Sequence, residues 1–158
     1  MSIYEDGTYL KNSPNWHQAD SAWKAAHIAR MLSRNGVQPV SVAEIGCGAG
    51  EVLRSLSTML DGRVQYSGFE ISPQAFQICQ PKAKGNLSYF YADLLAESED
   101  KAFDVLMAID VFEHVEDYFS FLRKVRTRGA YKVFHIPLDL SVQTVIRPQR
   151  LMRARNSV

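Results

Sequence analysis

The sequence predicts an α/β fold in which helices cover both faces of a parallel sheet. Short apolar runs rich in β-branched residues, typical of buried strands, alternate with segments whose apolar residues recur every three or four positions, typical of amphipathic helices. A strand followed by a helix returns to the same sheet in parallel, so this alternation indicates a doubly wound sheet. The chain has 158 residues, of which 46% are hydrophobic and 22% charged, which suits one domain with its own core.

The first half of the chain has a polar lead-in before an amphipathic helix. Gly36 can end this helix because glycine adopts the left-handed conformation that commonly follows a helix. Ser72-Pro73 places a capping serine and a first-turn proline at the start of a later helix. The predicted elements are, in order, a helix over 20–35, a strand over 41–45, a helix over 52–60, a strand over 64–69 and the helix that begins at Ser72-Pro73.

The second half contains three more predicted strands. The segment "FDVLMAI" is nearly all apolar, as expected of a strand that is covered on both faces. The predicted elements are a strand over 87–91, an acidic loop over 97–101, a strand over 103–109, a helix from Phe112 into the basic stretch "RKVRTR", and a strand over 131–136. We therefore divide the single domain into a cap and helix (1–40), a ligand-binding core (41–137) and a basic tail (138–158).

Three glycines at alternate positions, Gly46, Gly48 and Gly50, follow the first predicted strand. Glycine lets a backbone come close to a ligand because it has no Cβ. The dinucleotide fingerprint G-x-G-x-x-G fails because Glu51 takes the place of its third glycine, and the lysine of a P-loop is absent. Glu44, just before the loop, would repel a pyrophosphate but can pair with an ammonium group. The predicted ligand is therefore cationic near this loop.

Two further carboxylates follow the second and third predicted strands. Glu70 lies 20 residues beyond Gly50, where an acid can accept hydrogen bonds from both ribose hydroxyls. Asp93 can accept one from an adenine amino group, with a solvated loop acid as the alternative. Three carboxylates around one glycine loop predict a cationic nucleoside that carries an amino acid. S-adenosylmethionine has this chemistry.

Four segments in order, "VAEIGCGAGEVL", "YSGFEIS", "ADLL" and "FDVLMAIDVFEHVED", resemble the successive motifs of class I S-adenosylmethionine-dependent methyltransferases. The form "VFEHVED" is similar to the small-molecule branch that includes ubiquinone-type O-methyltransferases. The resemblance runs from residue 42 to about 137 and includes a lead-in, "NWHQADSAWKA". It implies a Rossmann-like sheet of strand order 3-2-1-4-5. Family members add strands 6 and 7, and the residues after Pro137 are too few for them.

The resemblance implies a cofactor site over the carboxyl ends of strands 1, 2 and 4. S-adenosylmethionine is the expected cofactor and S-adenosylhomocysteine its product. Phe69 and Leu94 can pack on the adenine or belong to the core, and His135 fits either the core or the cleft. The residues expected to contact the cofactor are Glu44, Gly46, Cys47, Gly48, Gly50, Glu70, Ile71, Asp93, Leu94 and Asp110.

Three side chains are candidates for catalysis beside the acceptor. His114 follows strand 4, and histidine changes charge near neutral pH, which suits a general base, although it can simply start a helix. Asp110 faces the expected methyl position, and capping the next helix is its alternative role. His17 belongs to a lead-in that crosses the cofactor site in related enzymes. Glu113 and Asp117 have no specific metal-binding spacing with His114, so we expect no metal.

Charge and composition limit the classes of partner that we expect the protein to bind. The net charge of +1 provides no overall field for nucleic acid or an acidic membrane. A polar N-terminus and two cysteines without metal spacing predict a cytoplasmic protein that has neither a leader nor a membrane span. The segment after strand 4 lacks the Asn/Asp-Pro-Pro-aromatic motif of many DNA and protein amide N-methyltransferases, and no cysteine follows Cys79.

We expect a small-molecule hydroxyl as the acceptor, with a small amine as the next choice. Two other classes stay open. One is a cofactor-binding module without turnover, which the missing strands favour. The other is a nicotinamide-dependent oxidoreductase, which Glu44 and Glu51 disfavour.

Overall fold

The computed structural model describes residues 20–96 and 102–137. They form a five-stranded sheet of order β3-β2-β1-β4-β5 in which every neighbouring pair is parallel. The strands are β1 (Ser41–Ile45), β2 (Gln65–Glu70), β3 (Leu87–Tyr91), β4 (Phe103–Ile109) and β5 (Gly129–His135). The helices are α1 (Ser21–Arg34), α2 (Glu51–Ser57), α3 (Pro73–Cys79) and α4 (Tyr118–Arg128). The predicted α/β fold and its strand order are confirmed.

The sheet separates two apolar clusters. One joins alternate strand residues to buried side chains of α1, α2 and α3, among them Ile28, Leu53 and Cys79. The other joins the opposite strand face to Phe121 and Val125 of α4. Both faces of the sheet are therefore covered, which explains why β1 and β4 are buried at nearly every position.

One predicted helix start was wrong. Periodicity placed it at Phe112, but residues Phe112–His114 form a 3₁₀ turn and α4 begins only at Tyr118. Asp117 caps α4, because its carboxylate accepts a hydrogen bond from the amide of Ser120 at 2.9 Å. Phe112 instead packs with its ring centroid 6.0 Å from that of Phe121. An apolar residue that packs from a turn shows the same spacing as one that packs from a helix.

The amino ends of β1 and β4 are joined by hydrogen bonds, whereas their carboxyl ends border a cleft. At the amino end, the carboxylate of Asp104 accepts hydrogen bonds from the amides of Val40 (2.8 Å) and Ser41 (2.9 Å) and from the Ser41 hydroxyl (3.0 Å). These bonds fasten β4 to the start of β1. At the carboxyl end, loops diverge and leave a cleft. None of the helices within the described ranges has the length and apolarity that crossing a bilayer requires.

Candidate functional site

The loop between β1 and α2 is a tight turn built on three glycines. Each has a left-handed backbone, with φ of 63° at Gly46, 53° at Gly48 and 76° at Gly50. Packing imposes glycine as well at two of these positions. A Cβ on Gly46 would lie 2.7 Å from Cγ2 of Val111, and one on Gly50 would lie 2.6 Å from Cε1 of Tyr89. At Gly46 and Gly50, a side chain is therefore disfavoured both by the left-handed backbone and by the lack of space.

Glu51, which breaks the dinucleotide fingerprint, braces the loop at the start of α2. Its carboxylate lies 2.6 Å from Nζ of Lys82 and 2.6 Å from Nε of Arg54. Lys82 also donates a hydrogen bond to the Ala49 carbonyl at 2.7 Å. These contacts fix the last part of the glycine loop against the residues that follow α3. The carboxylate of Glu51 therefore stabilises the conformation of the loop.

The glycine loop forms one wall of a cavity of about 310 Å³ over the carboxyl ends of β1, β2 and β4. This volume falls at the lower end of the range for small-molecule sites. Four carboxylates line the cavity, those of Glu44, Glu51, Glu70 and Asp110. Among the described residues, Lys24 is the one lysine or arginine that lines it. The cavity is therefore suited to a ligand with positive charge.

Glu44 lies deepest in this cavity. Its side chain is only 2% exposed, and its Oε2 has no hydrogen-bond partner within the described part of the chain. Burial raises the pKa of Glu44 well above its ordinary value, and the nearby charges of Glu70 and Asp110 raise it further, while Lys24 opposes them. A buried carboxylate oxygen without a donor is costly. An incoming cationic group would supply the missing partner.

Glu70 ties the glycine loop to the end of β2. One carboxylate oxygen accepts a hydrogen bond from the Gly48 amide and the other from the Ser72 amide, each at 2.7 Å. Burial raises the pKa of Glu70, although these hydrogen bonds to the ionised form partly offset the effect. Each carboxylate oxygen has two lone pairs, so a ribose hydroxyl can still donate to the same group.

Asp110 joins two positively charged or titrating side chains at the end of β4. Its Oδ2 pairs with Nζ of Lys24 from α1, and its Oδ1 lies 2.5 Å from Nδ1 of His135 from β5. Burial raises the pKa of Asp110, but the hydrogen bonds from Lys24 and His135 outweigh it and hold the pKa below its usual value. The residue has φ of 56°, an uncommon conformation for a side chain other than glycine. It does not cap α4.

Asp93 and Leu94 line a second cavity, of about 350 Å³, that adjoins the first at Gly46 and Ile71. The Asp93 carboxylate accepts a hydrogen bond from the Leu95 amide at 2.9 Å. Leu94 is fully buried and belongs to the same apolar cluster as Phe69. Phe69 and Leu94 therefore fit both interpretations, because they belong to the apolar core and also line this cavity.

The remaining predicted residues differ in what they offer a ligand. His114 lines the first cavity from the 3₁₀ turn after β4. Cys47 is 7% exposed and lines the first cavity, and its thiol interacts with that of Cys79. Ile71 is 48% exposed and borders both cavities. His17 lies outside the described residues.

The sequence profile of the methyltransferase-domain family matches residues 43–128, more than half of the chain. The chain belongs to this family. The matched range contains the glycine loop, Glu44, Glu70, Asp93 and Asp110, which are the groups around the two cavities. The resemblance inferred from the motifs is thereby confirmed.

Curated relatives of this methyltransferase domain act on both oxygen and nitrogen, as their names state. The mitochondrial ubiquinone biosynthesis O-methyltransferase of Schizosaccharomyces pombe is 26% identical over 149 residues, which cover 82% of this chain and 53% of that protein. Ajmaline N-methyltransferase of Rauvolfia serpentina is 29% identical over 124 residues, or 71% of this chain and 42% of that protein. The chain thus spans about half the length of the curated relatives it matches.

Solved structures show the same fold. Magnesium protoporphyrin IX methyltransferase from Synechocystis PCC 6803, crystallised with S-adenosylhomocysteine, superposes with a TM-score of 0.65 at 18% identity, covering 83% of this chain and 62% of that one. The plantazolicin methyltransferase BpumL, also crystallised with S-adenosylhomocysteine, gives a TM-score of 0.58 at 21% identity, covering 78% and 47%. Likeness at this level of identity establishes the architecture of the methyltransferase domain.

Lys24 is the site residue that the sequence reasoning missed. The buried stripe of α1 consists of Ser21, Lys24, Ala25, Ile28 and Leu32, and Ser21 and Lys24 also line the cavity. A lysine is rarely buried without a partner, so its position on an apolar stripe was a usable signal. Its partner, Asp110, is 86 residues away. Periodicity within one helix does not identify such a partner.

Proposed function

We propose that this methyltransferase domain binds S-adenosylmethionine and transfers its methyl group to a small-molecule acceptor. One observation carries the proposal. Glu44 is a buried carboxylate whose Oε2 lacks a hydrogen-bond partner among the described residues, and it lies in a cavity bordered by a glycine loop and three more carboxylates. Such a site favours a ligand with an ammonium group and disfavours one with a pyrophosphate. The nicotinamide alternative is correspondingly weaker.

The residues present fit the parts of this cofactor. Glu44 would accept hydrogen bonds from the ammonium group of the amino-acid tail, and Lys24 would pair with its carboxylate. Glu70 would accept from the ribose hydroxyls while it holds the Gly48 amide. Asp93 and the apolar wall of the second cavity would receive the adenine.

Bound S-adenosylmethionine supplies a methyl group on a cationic sulfur, which is activated for displacement. The protein then has to align the acceptor and to exclude water. The left-handed glycine loop lets backbone approach the ligand without intervening side chains, and the apolar residues Ile109 and Val111 border the cavity near Asp110. Proton removal is needed for a hydroxyl acceptor, whose oxygen becomes a better nucleophile.

We favour a hydroxyl as the acceptor, with a small amine as the second choice. The names of relatives include both O- and N-methyltransferases, so similarity alone does not choose between them. Titrating side chains close to the end of β4 favour a reaction in which a proton must be removed. Asp110, His114 and His17 stay as predicted catalytic residues. A cofactor-binding module without turnover is the alternative function.

Calorimetry and turnover separate these possibilities. We expect S-adenosylhomocysteine to bind the chain and NADH not to bind. Tight NADH binding without S-adenosylhomocysteine binding would establish an oxidoreductase instead. Transfer of labelled methyl to a panel of phenols, alcohols and primary amines then tests the acceptor. Binding without turnover, in this chain and in any longer natural form, would favour the module.

A further inference from the structure

Asp110 and His135 form a carboxylate–imidazole pair beside the predicted cofactor cavity. Oδ1 of Asp110 lies 2.5 Å from Nδ1 of His135, and the second oxygen of Asp110 is held by Lys24. The amide of Asp110 also donates a hydrogen bond to the His135 carbonyl at 3.0 Å. The two residues are therefore fixed to each other through both backbone and side chain. This arrangement is more than the contact of two neighbouring strands requires.

The surroundings leave the ring accessible. The His135 side chain is 36% exposed, and Asp110, which lines the cavity, is 22% exposed. The Trp23 ring of α1 meets the His135 ring edge-on, with centroids 6.4 Å apart, and is itself 57% exposed. Asp110 keeps a left-handed φ of 56°, the kind of backbone outlier that is often found at functional sites. An accessible imidazole thus lies next to an exposed aromatic ring, and its partner Asp110 lines the cavity.

We infer that His135, oriented by Asp110, is the base that deprotonates a hydroxyl acceptor, and this inference rests on the function proposed above. A carboxylate at Nδ1 favours the tautomer with hydrogen on Nδ1, which leaves Nε2 to accept a proton. Nε2 takes the hydroxyl proton while an oxygen lone pair forms the new bond to the methyl carbon. The carbon–sulfur bond breaks, and its electron pair stays on sulfur as a neutral thioether. His135 is then the catalytic residue and Asp110 its positioning residue.

Other charged or titrating groups border this pair on each side. Lys24 and His27 lie on α1, Glu44 lies on β1, and His114 lies on the turn after β4. His114 is the competing base, because it lines the cavity itself, whereas His135 is joined to the cavity through Asp110. His135 is favoured because a carboxylate that is itself held by a lysine lies at its Nδ1. The exposed Trp23 surface beside it suits an acceptor whose hydroxyl is on a planar ring.

The decisive experiment compares variants of the full chain across substituted phenols of increasing acidity, at saturating S-adenosylmethionine. We expect His135→Gln to lower kcat at least a hundredfold for the least acidic phenol. The loss should shrink as the phenol becomes more acidic, because an ionised acceptor needs no base. His27→Gln is the matched control: because its ring packs on Trp23, any change in kcat should be equal for all phenols. A His135→Gln loss that is equal for all phenols would assign a structural role and overturn the inference.

The pH profile separates the two histidines. The rise of kcat with pH should vanish in His135→Gln and persist in His114→Ala, and the reverse result overturns the inference. A chain that binds S-adenosylhomocysteine but methylates no phenol also overturns it, whereas a chain that does not bind refutes the proposed function itself.

Nuclear magnetic resonance of ¹⁵N-labelled histidine gives a readout without turnover. We expect neutral His135 in the wild-type to carry its hydrogen on Nδ1. In Asp110→Asn the side-chain amide can donate to Nδ1, so the ring should switch to the Nε2–H tautomer and kcat should fall. A wild-type ring with hydrogen on Nε2 would contradict the inference, even if no His135 variant folds.

Discussion

At the scale of single residues, we expect the ionisation of Glu44 to link ligand binding to pH. Its pKa is raised well above 4.5, mainly by burial. We expect a cationic ligand to bind the ionised form, so that S-adenosylhomocysteine binding releases up to about one proton. Affinity should therefore increase as pH rises above about 4.5 toward the raised pKa. Calorimetry in buffers of different ionisation enthalpy measures this proton directly.

Glu44→Gln is the matched variant for this measurement. It should bind more weakly and release no proton, because the amide does not titrate. The free chain should also gain stability at neutral pH. A group with a raised pKa keeps its proton in the folded state above the unfolded pKa, so the wild-type loses stability as pH rises through that window. Proton release that is unchanged in the variant would remove Glu44 from the ligand site.

Glu70→Ala should weaken S-adenosylhomocysteine binding by about 1–3 kcal/mol, the usual effect of losing charge-assisted hydrogen bonds. Glu70 holds the Gly48 and Ser72 amides as well as the predicted ribose, so part of this loss comes from a looser loop. A double-mutant cycle with a 2′-deoxy analogue separates the two parts. Coupling near zero would show that Glu70 supports the loop alone. Glu70→Gln should lose less, since its amide oxygen still accepts.

At the scale of elements, the conformation of the glycine loop requires glycine, and we expect the bound ligand to require it as well. Gly48→Val should abolish S-adenosylhomocysteine binding while the chain stays folded, because a β-branched residue resists φ of 53° and would fill space next to the ligand. Gly36→Val is the matched control. Gly36 has φ of 67° with no atom within 4 Å of an added Cβ, so it carries the same strain away from the cavity.

Calorimetry and thermal unfolding together test this prediction. Both variants should unfold at lower temperature than the wild-type, and only Gly36→Val should bind. Normal affinity in a folded Gly48→Val chain would exclude the loop from the site.

The elements could be predicted wherever periodicity and terminal signals agreed. Ser72-Pro73 opens α3 as expected, and the Ser72 hydroxyl accepts from the Ala75 amide at 3.4 Å. Gly36 follows the end of α1 with a positive φ, also as expected. The start of α4 was misplaced because Phe112 and Val115 are apolar for a different reason, their packing beside α4. The spacing of apolar residues along the sequence does not indicate which element each apolar side chain packs against.

At the scale of the whole molecule, the order of the strands alone explains why several of the predicted site residues lie close together. The carboxyl ends of β1, β2 and β4 share one edge, so the glycine loop, Glu70 and Asp110 had to meet there. The contacts of Lys24 and His135 with Asp110 depend instead on how α1 and β5 pack. The domain boundaries, the cytoplasmic location and the absence of nucleic-acid partners stay predictions.

The hydrogen bonds of Asp104 at the amino ends of β1 and β4 allow a test of stability that is separate from ligand binding. Asp104→Ala should lower the free energy of unfolding by about 1–2 kcal/mol, because three hydrogen bonds to one carboxylate are lost at a partly exposed site. S-adenosylhomocysteine affinity should not change, since the cavity lies at the opposite end of the strands. Urea unfolding monitored by circular dichroism measures the first quantity.

The pH dependence of the stability difference between the wild-type and Asp104→Ala is a second test. Hydrogen bonds from Val40 and Ser41 lower the pKa of Asp104 below 3.8. Its contribution is therefore present above that pH and is lost as pH falls through the lowered pKa. The wild-type and variant should converge in acid. A constant difference between them would mean that the lost stability arises elsewhere.

The central position of β1 has a consequence for how the chain is made. Residues Val42–Ile45 pair with β2 on one side and with β4 on the other. During synthesis β2 leaves the ribosome soon after β1, whereas β4 ends only at Ile109. Until then, one edge of this central strand has no partner, and such an edge readily pairs with other chains. A nascent chain stopped before residue 103 would therefore expose that edge, and its aggregation would depend on translation speed.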